Sequence, residues 1–388
     1  MLGSELSLQS RGVRRGAALT LVFATVLVTA AATDCWQLDD EKTPSLSASS
    51  VAVTAHRDEV TAAAVEAMAD GKSGKEAAEE VVSRSDDRWG AVYDQGEYEE
   101  FQQALDGEYT GVGLWAKRTR DGRIEVARVQ PGGPAELEGV RAGDRLRTID
   151  GRRVEKRPVT EVVALLRGDG TAQAGTSVVL GLERAGREWH ETLRRARLAT
   201  EAVTVQRHAD GATLIKVASF TKGSGEQVRD AVRAVPKDHG VLLDLRGNGG
   251  GLVTEAVTAA SAFLDGGLVA TYDVHGSQRA LYAEPGGDTE RPVVALVDGG
   301  TMSAAELVTG ALQDRGRAVT VGARTFGKGS VQMPSVLPDG SVAELTVGHY
   351  RTPAGRNVDG RGISPDLAVS ERAEERARTV LSGLGGGS

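Results

Sequence analysis

Three observations predict an α/β protein with a small β-rich domain and a helical segment ahead of its main sheet. From Ala212 to Gly322, apolar strand-like runs alternate with helix-like runs, the pattern of a largely parallel sheet covered by helices. Between residues 108 and 195, short β-rich runs alternate with Gly/Pro turns. From Asp58 to Leu105, apolar and charged residues recur at helical spacing.

In chain order, Arg11, Arg14 and Arg15 precede the apolar run Ala17 to Ala32. A basic start, a short apolar stretch and small residues at its end describe a signal peptide cleaved after Ala32. An uncleaved anchor is the alternative, although the run is shorter than the ~20 residues that span a bilayer. Either reading places the body of the protein outside the cytoplasm and leaves membrane association through this segment open. Residues 1–35 form this leader, and the Ser-rich stretch 36–57 reads as a flexible linker. The helical region covers 58–107, with "EVTAAAVEAMAD" and "EYEEFQQAL" as its amphipathic pieces. In 108–195, "IEVARV", "RLRTIDG" and "SVVLGLER" read as strands and "VTEVVALLRG" as a helix. In 196–370, "ATLIKVASF", "GVLLDL", "PVVALV" and "RAVTVG" read as strands. The helices between them are "GEQVRDAVRAV", "LVTEAVTAASAFL" and "SAAELVTGALQ". The tail 371–388 reads as a short charged helix ending in Gly.

Bulk properties narrow the function. The net charge of −8 argues against nucleic acid as the main partner. Cys35 is the sole cysteine, so there is no internal disulfide and no cysteine-based metal site. No cofactor or metal is expected.

Two strand–turn–helix corners carry chemistry. In "PVVALVDGGTMSAAEL", Ser303 with Glu306 three residues on spells a helix capping box. The same geometry projects the Ser303 hydroxyl from the sheet edge, with the amide of Ala304 aimed where an oxyanion would form. In "VLLDLRGNGGGLVTEAV", Gly249, Gly250 and Gly251 let backbone amides approach a reacting carbonyl, and Arg246 and Asn248 are placed to brace the loop. None of the six histidines falls in a recognisable nucleophile or zinc motif. The string "GARTFGKGS", Gly322 to Ser330, nearly spells a phosphate loop. Such a loop must lead into a helix, whereas Pro-containing, β-rich sequence follows here. Lys328 therefore reads as a base, since burial turns an ammonium into a free amine.

The stretch "GGTMSAAELVTGALQDRGRAVTVGARTFGKGSVQ" resembles the active-site region of the carboxy-terminal processing (tail-specific) proteases, serine peptidases with a Ser–Lys dyad. "DLRGNGGGL", "TPAGRNVDGRGISPD" and the PDZ-like "GEYTGVGL" and "PGGPAELEGVRAGDRLRTIDGRRV" extend the resemblance over most of the chain. It implies an α/β catalytic core of crotonase/ClpP-like type with an inserted PDZ domain. Ser303 would be the nucleophile and Lys328, 25 positions later, its base. Gln332 would orient the lysine, and Asp314 would be a supporting acid. Ala304 with Gly250 or Gly251 would form the oxyanion hole, and Gly111, Val112, Gly113 and Leu114 would hold a peptide carboxylate. The implied partners are proteins or peptides with free C-termini, and a homo-oligomer is left open. Met302, Ala305 and Gly249 depart from the family pattern. On a straight strand, Lys328 and Gln332 would lie roughly 13 Å apart, so contact between them requires a curl around Gly329. Two competitors remain: a non-catalytic PDZ scaffold and an acyl-transfer enzyme of crotonase type.

Overall fold

The computed structural model describes residues 48–119, 121–168, 173–274 and 277–385. The leader, its cleavage site and Cys35 lie outside the described residues. No described helix is long and apolar enough to cross a membrane.

The helical region holds α1 (Ala48–Ala69), α2 (Gly74–Arg84), β1 (Ala91–Tyr93) and α3 (Gln95–Leu105). Helix α1 thus begins inside the stretch read as linker. Asp94 starts α3 with a capping box to Glu97. A β-rich unit follows: β2 (Glu108–Gly111), β3 (Leu114–Arg118), β4 (Ile124–Val129), α4 (Pro134–Leu137), β5 (Arg145–Ile149), β6 (Arg152–Arg153), α5 (Val159–Arg167), β7 (Ser177–Arg184), β8 (Arg187–Arg194) and β9 (Ala196–Ala199). Strands β3-β4-β5-β7-β8 form one antiparallel sheet around a core of Ile124, Leu146, Ile149, Leu180 and Leu193. The unit is entered along β2 and left along β9, which pair antiparallel from Glu108↔Ala199 to Gly111↔Ala196.

The main sheet begins with β10 (Val203–Arg207), β11 (Thr213–Val217), α6 (Ser224–Arg233), β12 (Val241–Asp244) and α7 (Val253–Ser261). Next come β13 (Leu268–Val274), β14 (Ser277–Tyr282), β15 (Val293–Val297), α8 (Ala304–Asp314), β16 (Val319–Gly322), β17 (Ser330–Val336), β18 (Val342–Arg351), β19 (Leu367–Ala368) and α9 (Ala373–Gly385). The sheet order is β10-β11-β12-β15-β16-β19, parallel except for β10 at one edge. Strand periodicity divides its side chains between two layers. Ile215, Val217, Leu243, Val293 and Ala295 pack with α6, α7 and α8. Leu214, Leu242, Val294 and Leu296 pack with Ala377 and Leu381 of α9. Both faces are covered, which explains the unbroken apolar runs of β12 and β15.

A second sheet, β1-β18-β13-β14 with β17 also on β18, reaches the turn after β15 through Tyr350 of β18. Strand β18 is its spine. It pairs with β17 along its length and with β1 through Ala91↔Glu344 to Tyr93↔Val342. This sheet brings the helical region against the segment that carries Lys328.

Candidate active site

Ser303 sits where β15 turns into α8. Its backbone has φ 55° and ψ −117°, a left-handed conformation costly for a residue with a Cβ. Such strain points the side chain off the end of the sheet, as at nucleophile elbows on other α/β folds. The turn is laced to the Gly-rich corner. Thr301 Oγ1 donates to the Leu245 carbonyl at 2.9 Å, and Met302 N to the Asn248 carbonyl at 2.9 Å. Gly247 N and Gly300 N both donate to Asp298 Oδ1.

Glu306, one turn into α8, does more than cap. Its carboxylate is fully buried and accepts from Ser303 N at 2.9 Å, Gly327 N at 2.8 Å and Lys328 N at 2.9 Å, with Thr325 Oγ1 as a fourth donor. Burial pushes this carboxyl up, and the four donors oppose the shift. The hydroxyl of Tyr350 on β18 donates to the carbonyls of Ser303 (3.0 Å) and Lys328 (3.3 Å). Glu306 and Tyr350 thus fix the backbones of Ser303 and Lys328 to each other from two sides.

The Gly-rich corner lies directly against Ser303. A Cβ at Gly250, where φ is 101°, would come within 3.1 Å of Ser303 Cβ. Gly250 N already donates to Asn248 Oδ1 at 2.8 Å, and Asn248 Nδ2 is anchored to the Val217 carbonyl. The amides of Gly251 and Ala304 have no acceptor among the described residues. Of the two glycines considered, Gly251 therefore keeps the free donor, because Asn248 occupies the other. Arg246 ties the end of β12 to α9 and makes no side-chain bond to the glycines. It pairs with Asp244 at 2.7 Å and Glu374 at 3.2 Å.

Lys328 is 2% exposed. Its Nζ lies 5.0 Å from the ring centroid of Trp89, which in turn packs on Phe326. Burial lowers its pKa from 10.5 to about 8, against the upward pull of Glu344, Asp87 and Asp359. Asp87 binds Thr346 through both oxygens at 2.7 Å. The segment 87–91 of the helical region thus forms one wall of the lysine pocket. Trp89, Asp87, Glu344 and Tyr350 carried no local signal in the sequence.

The curl expected between Lys328 and Gln332 is absent. Strand β17 starts at Ser330 and takes a bulge between Val331 and Gln332. The amide nitrogen of Gln332 donates to Ser330 Oγ at 2.8 Å and Thr346 Oγ1 at 3.1 Å, not to the lysine. Its Oε1 is buried without a partner among the described residues. Asp314 ends α8, eleven residues from Ser303 and so roughly 16 Å along the axis. It binds Ala354 N at 2.8 Å and Arg356, so it holds the loop after β18 and does not touch Ser303.

Beside Ser303 is a narrow apolar pocket lined by Val253, Tyr272, Leu281, Leu307, Val331 and Tyr350. In the β-rich unit, Gly111 to Leu114 turn between β2 and β3. The carbonyls of Val112 and Gly113 accept from Ala135 N and Gln130 N, while the amides of both residues have no acceptor among the described residues. No group of three or more His, Cys, Asp or Glu is placed to hold a metal ion among the described residues.

Comparison with known proteins gives the family. The signature of peptidase family S41 matches residues 211–369, and that of a PDZ domain matches residues 125–182. The carboxy-terminal processing protease CtpA of Bacillus subtilis (strain 168) is 32% identical over 74% of this chain. The match spans 62% of that protein's own length. The carboxyl-terminal-processing protease of Synechocystis sp. (strain PCC 6803) is 32% identical over 76% of this chain and 70% of its own. A solved S41 protease structure from Bacteroides fragilis has a similar fold, with a TM-score of 0.51 and 17% identity over 79% of this chain and 85% of its own. The chain belongs to peptidase family S41, among the carboxy-terminal processing proteases, and carries a PDZ domain.

Proposed function

We propose that the chain is an exported serine endopeptidase that cleaves protein substrates near their C-termini by a Ser303–Lys328 dyad. The observation that carries this reading is the Glu306 carboxylate, which gathers the amides of Ser303, Gly327 and Lys328. With its pKa near 8, about one lysine in ten is a free amine at pH 7, against about one in three thousand for an ordinary lysine. The neutral amine of Lys328 takes the proton of Ser303 as Oγ attacks the peptide carbonyl, forming a tetrahedral intermediate. The Gly251 and Ala304 amides hold the oxyanion; one such donor is typically worth about a hundred- to a thousandfold in rate. The ammonium then protonates the leaving amine as the C–N bond breaks, leaving an acyl-enzyme, and water that gives a proton to the regenerated amine hydrolyses it.

The apolar pocket beside Ser303 fits a small apolar side chain on the acyl side of the cleaved bond. The Gly111–Leu114 turn binds the substrate's terminal carboxylate through backbone amides, with the peptide added as a strand. Gln332 holds Ser330 and Thr346 by hydrogen bonds and makes none to the lysine. The test is cleavage of one peptide, with its C-terminus free or amidated, by the unaltered enzyme, Ser303→Ala and Lys328→Ala. Both variants should be inactive yet folded, and amidation should weaken cleavage. Robust turnover by Lys328→Ala refutes the dyad, and indifference to amidation refutes carboxylate recognition.

A further inference from the structure

Strand β18 carries a buried carboxyl that this scheme does not use. Glu344 is 0% exposed, and neither of its carboxyl oxygens has a hydrogen-bond partner among the described residues. Its backbone is held between Ala91 of β1 and Pro334 of β17, so the side chain cannot be re-aimed without slipping two strand pairs. Alternation along β18 puts Glu344 on the same face as Thr346, whose register partner is Gln332. Unpartnered Gln332 Oε1, Tyr93 Oη and Trp89 Nε1 belong to the same buried region. An isolated carboxylate there would carry a large desolvation cost.

Lys328 supplies the compensating charge. Among the described residues it is the charge that acts on Glu344, and Glu344 acts on Lys328 more strongly than Asp87 or Asp359 does. Tyr93 of β1 and Tyr98 of α3 also feel Glu344. No ion pair within 4.0 Å joins the carboxyl to the amine, so the coupling acts across the pocket.

We propose that Glu344 is the internal counter-charge of Lys328 and sets whether the lysine stands as ammonium or as free amine. The proposal rests on Lys328 being the base. Two states of the pair are favourable in a water-poor pocket: both groups charged, or both neutral. Protons come from and return to solvent. Burial brings the two titrations together, with Glu344 raised to about 7 and Lys328 lowered to about 8. The pair is then charged on both sides between about pH 7 and 8, and the amine becomes free as pH rises through about 8. Glu344 is a positioning residue, acting on the substrate only through the lysine.

The test is the pH dependence of kcat/KM on one peptide for the unaltered enzyme, Glu344→Gln and Lys328→Ala. Loss of the negative charge makes the ammonium less favourable. The acid limb of Glu344→Gln should move to lower pH by about one unit, the low end of the effect of a nearby opposite charge. A side chain that merely filled space would lower the plateau and leave the limb in place. An inactive Lys328→Ala with an unmoved limb in Glu344→Gln overturns this proposal alone. Turnover by Lys328→Ala removes the lysine as base and this proposal with it. Should Glu344→Gln fail to fold, NMR of Ser303→Ala with labelled Lys and Glu reads the coupling directly. Glu344 and Lys328 titrating together near neutrality supports it, and Glu344 titrating below pH 5 with no response at Lys328 overturns it.

Discussion

The PDZ domain and the lysine pocket bury polar groups in opposite ways. In the PDZ domain, Asp144 is 1% exposed and gripped by Arg184 at 2.7 Å and by Arg141 N at 2.8 Å. Buried Arg195 donates to the carbonyls of Leu165, Leu166 and Ser177. Around Lys328, Glu344, Gln332, Trp89 and Tyr93 keep buried polar atoms without partners among the described residues. The first arrangement stabilises a domain. The second leaves buried polar atoms beside a buried amine without partners, which costs stability.

The sharpest way to break this contrast is Glu306→Ala. It strands the amides of Ser303, Gly327 and Lys328, each unmet buried donor costing about 1–3 kcal/mol. Peptide hydrolysis should fall at least about a hundredfold, a loss on the scale of a misplaced catalytic group, and the unfolding midpoint in urea should fall too. Near-normal turnover would show that the two backbones are held otherwise. Leu180→Ala, in the PDZ core, should cost about 2–5 kcal/mol by chemical denaturation and leave the acid limb of the pH–rate profile unmoved. A moved limb would mean that the two regions are not energetically separate.

Lys328→Met should remove activity and abolish the stability change tied to the lysine's depressed pKa, while Glu344, left without its counter-charge, is pushed further toward its neutral form. Between pH 8 and 10.5 the unfolded chain binds more protons at this lysine, so stability rises as pH rises through that window. Glu344 has the opposite slope: the folded form holds the proton between pH 4.5 and about 7, so stability falls as pH rises through it. Their joint contribution is least favourable between about pH 7 and 8. Thermal melts across pH should show the upper slope weakened in Lys328→Met. The smallest effect belongs to Asp314→Asn, which loosens the 354–356 loop by about 1 kcal/mol and leaves the limb unchanged.

Much of this architecture was legible in the sequence because it is local. Alternation of β11, α6, β12, α7, β15, α8 and β16 follows from apolar periodicity, and the spacing of Ser303 and Lys328 carries the family resemblance. What escaped reading depends on distant pairing. Asp87 binds Thr346 across 259 residues, and no pattern near Trp89 announces a lysine. Glu344 sits between Ala343 and Leu345, where strand alternation suggests a solvent-facing carboxylate. It is buried because β18 is covered on both faces. The bulge at Val331 replaced the curl, since pairing with β18 keeps the chain extended there. Glu306 was visible as a capping residue, but its bonds to Gly327 and Lys328 needed the loop to fold back onto α8.

The ribbon of β2 and β9 gives the molecule a modular seam. Glu108 and Ala199 are register partners, so the PDZ domain leaves the chassis and rejoins it about one strand spacing away, near 5 Å. A tight turn spliced between those strands would close the gap without displacing the parallel sheet. The peptidase half could then be refitted with a different domain in that place, and its cutting preference measured apart from the PDZ domain.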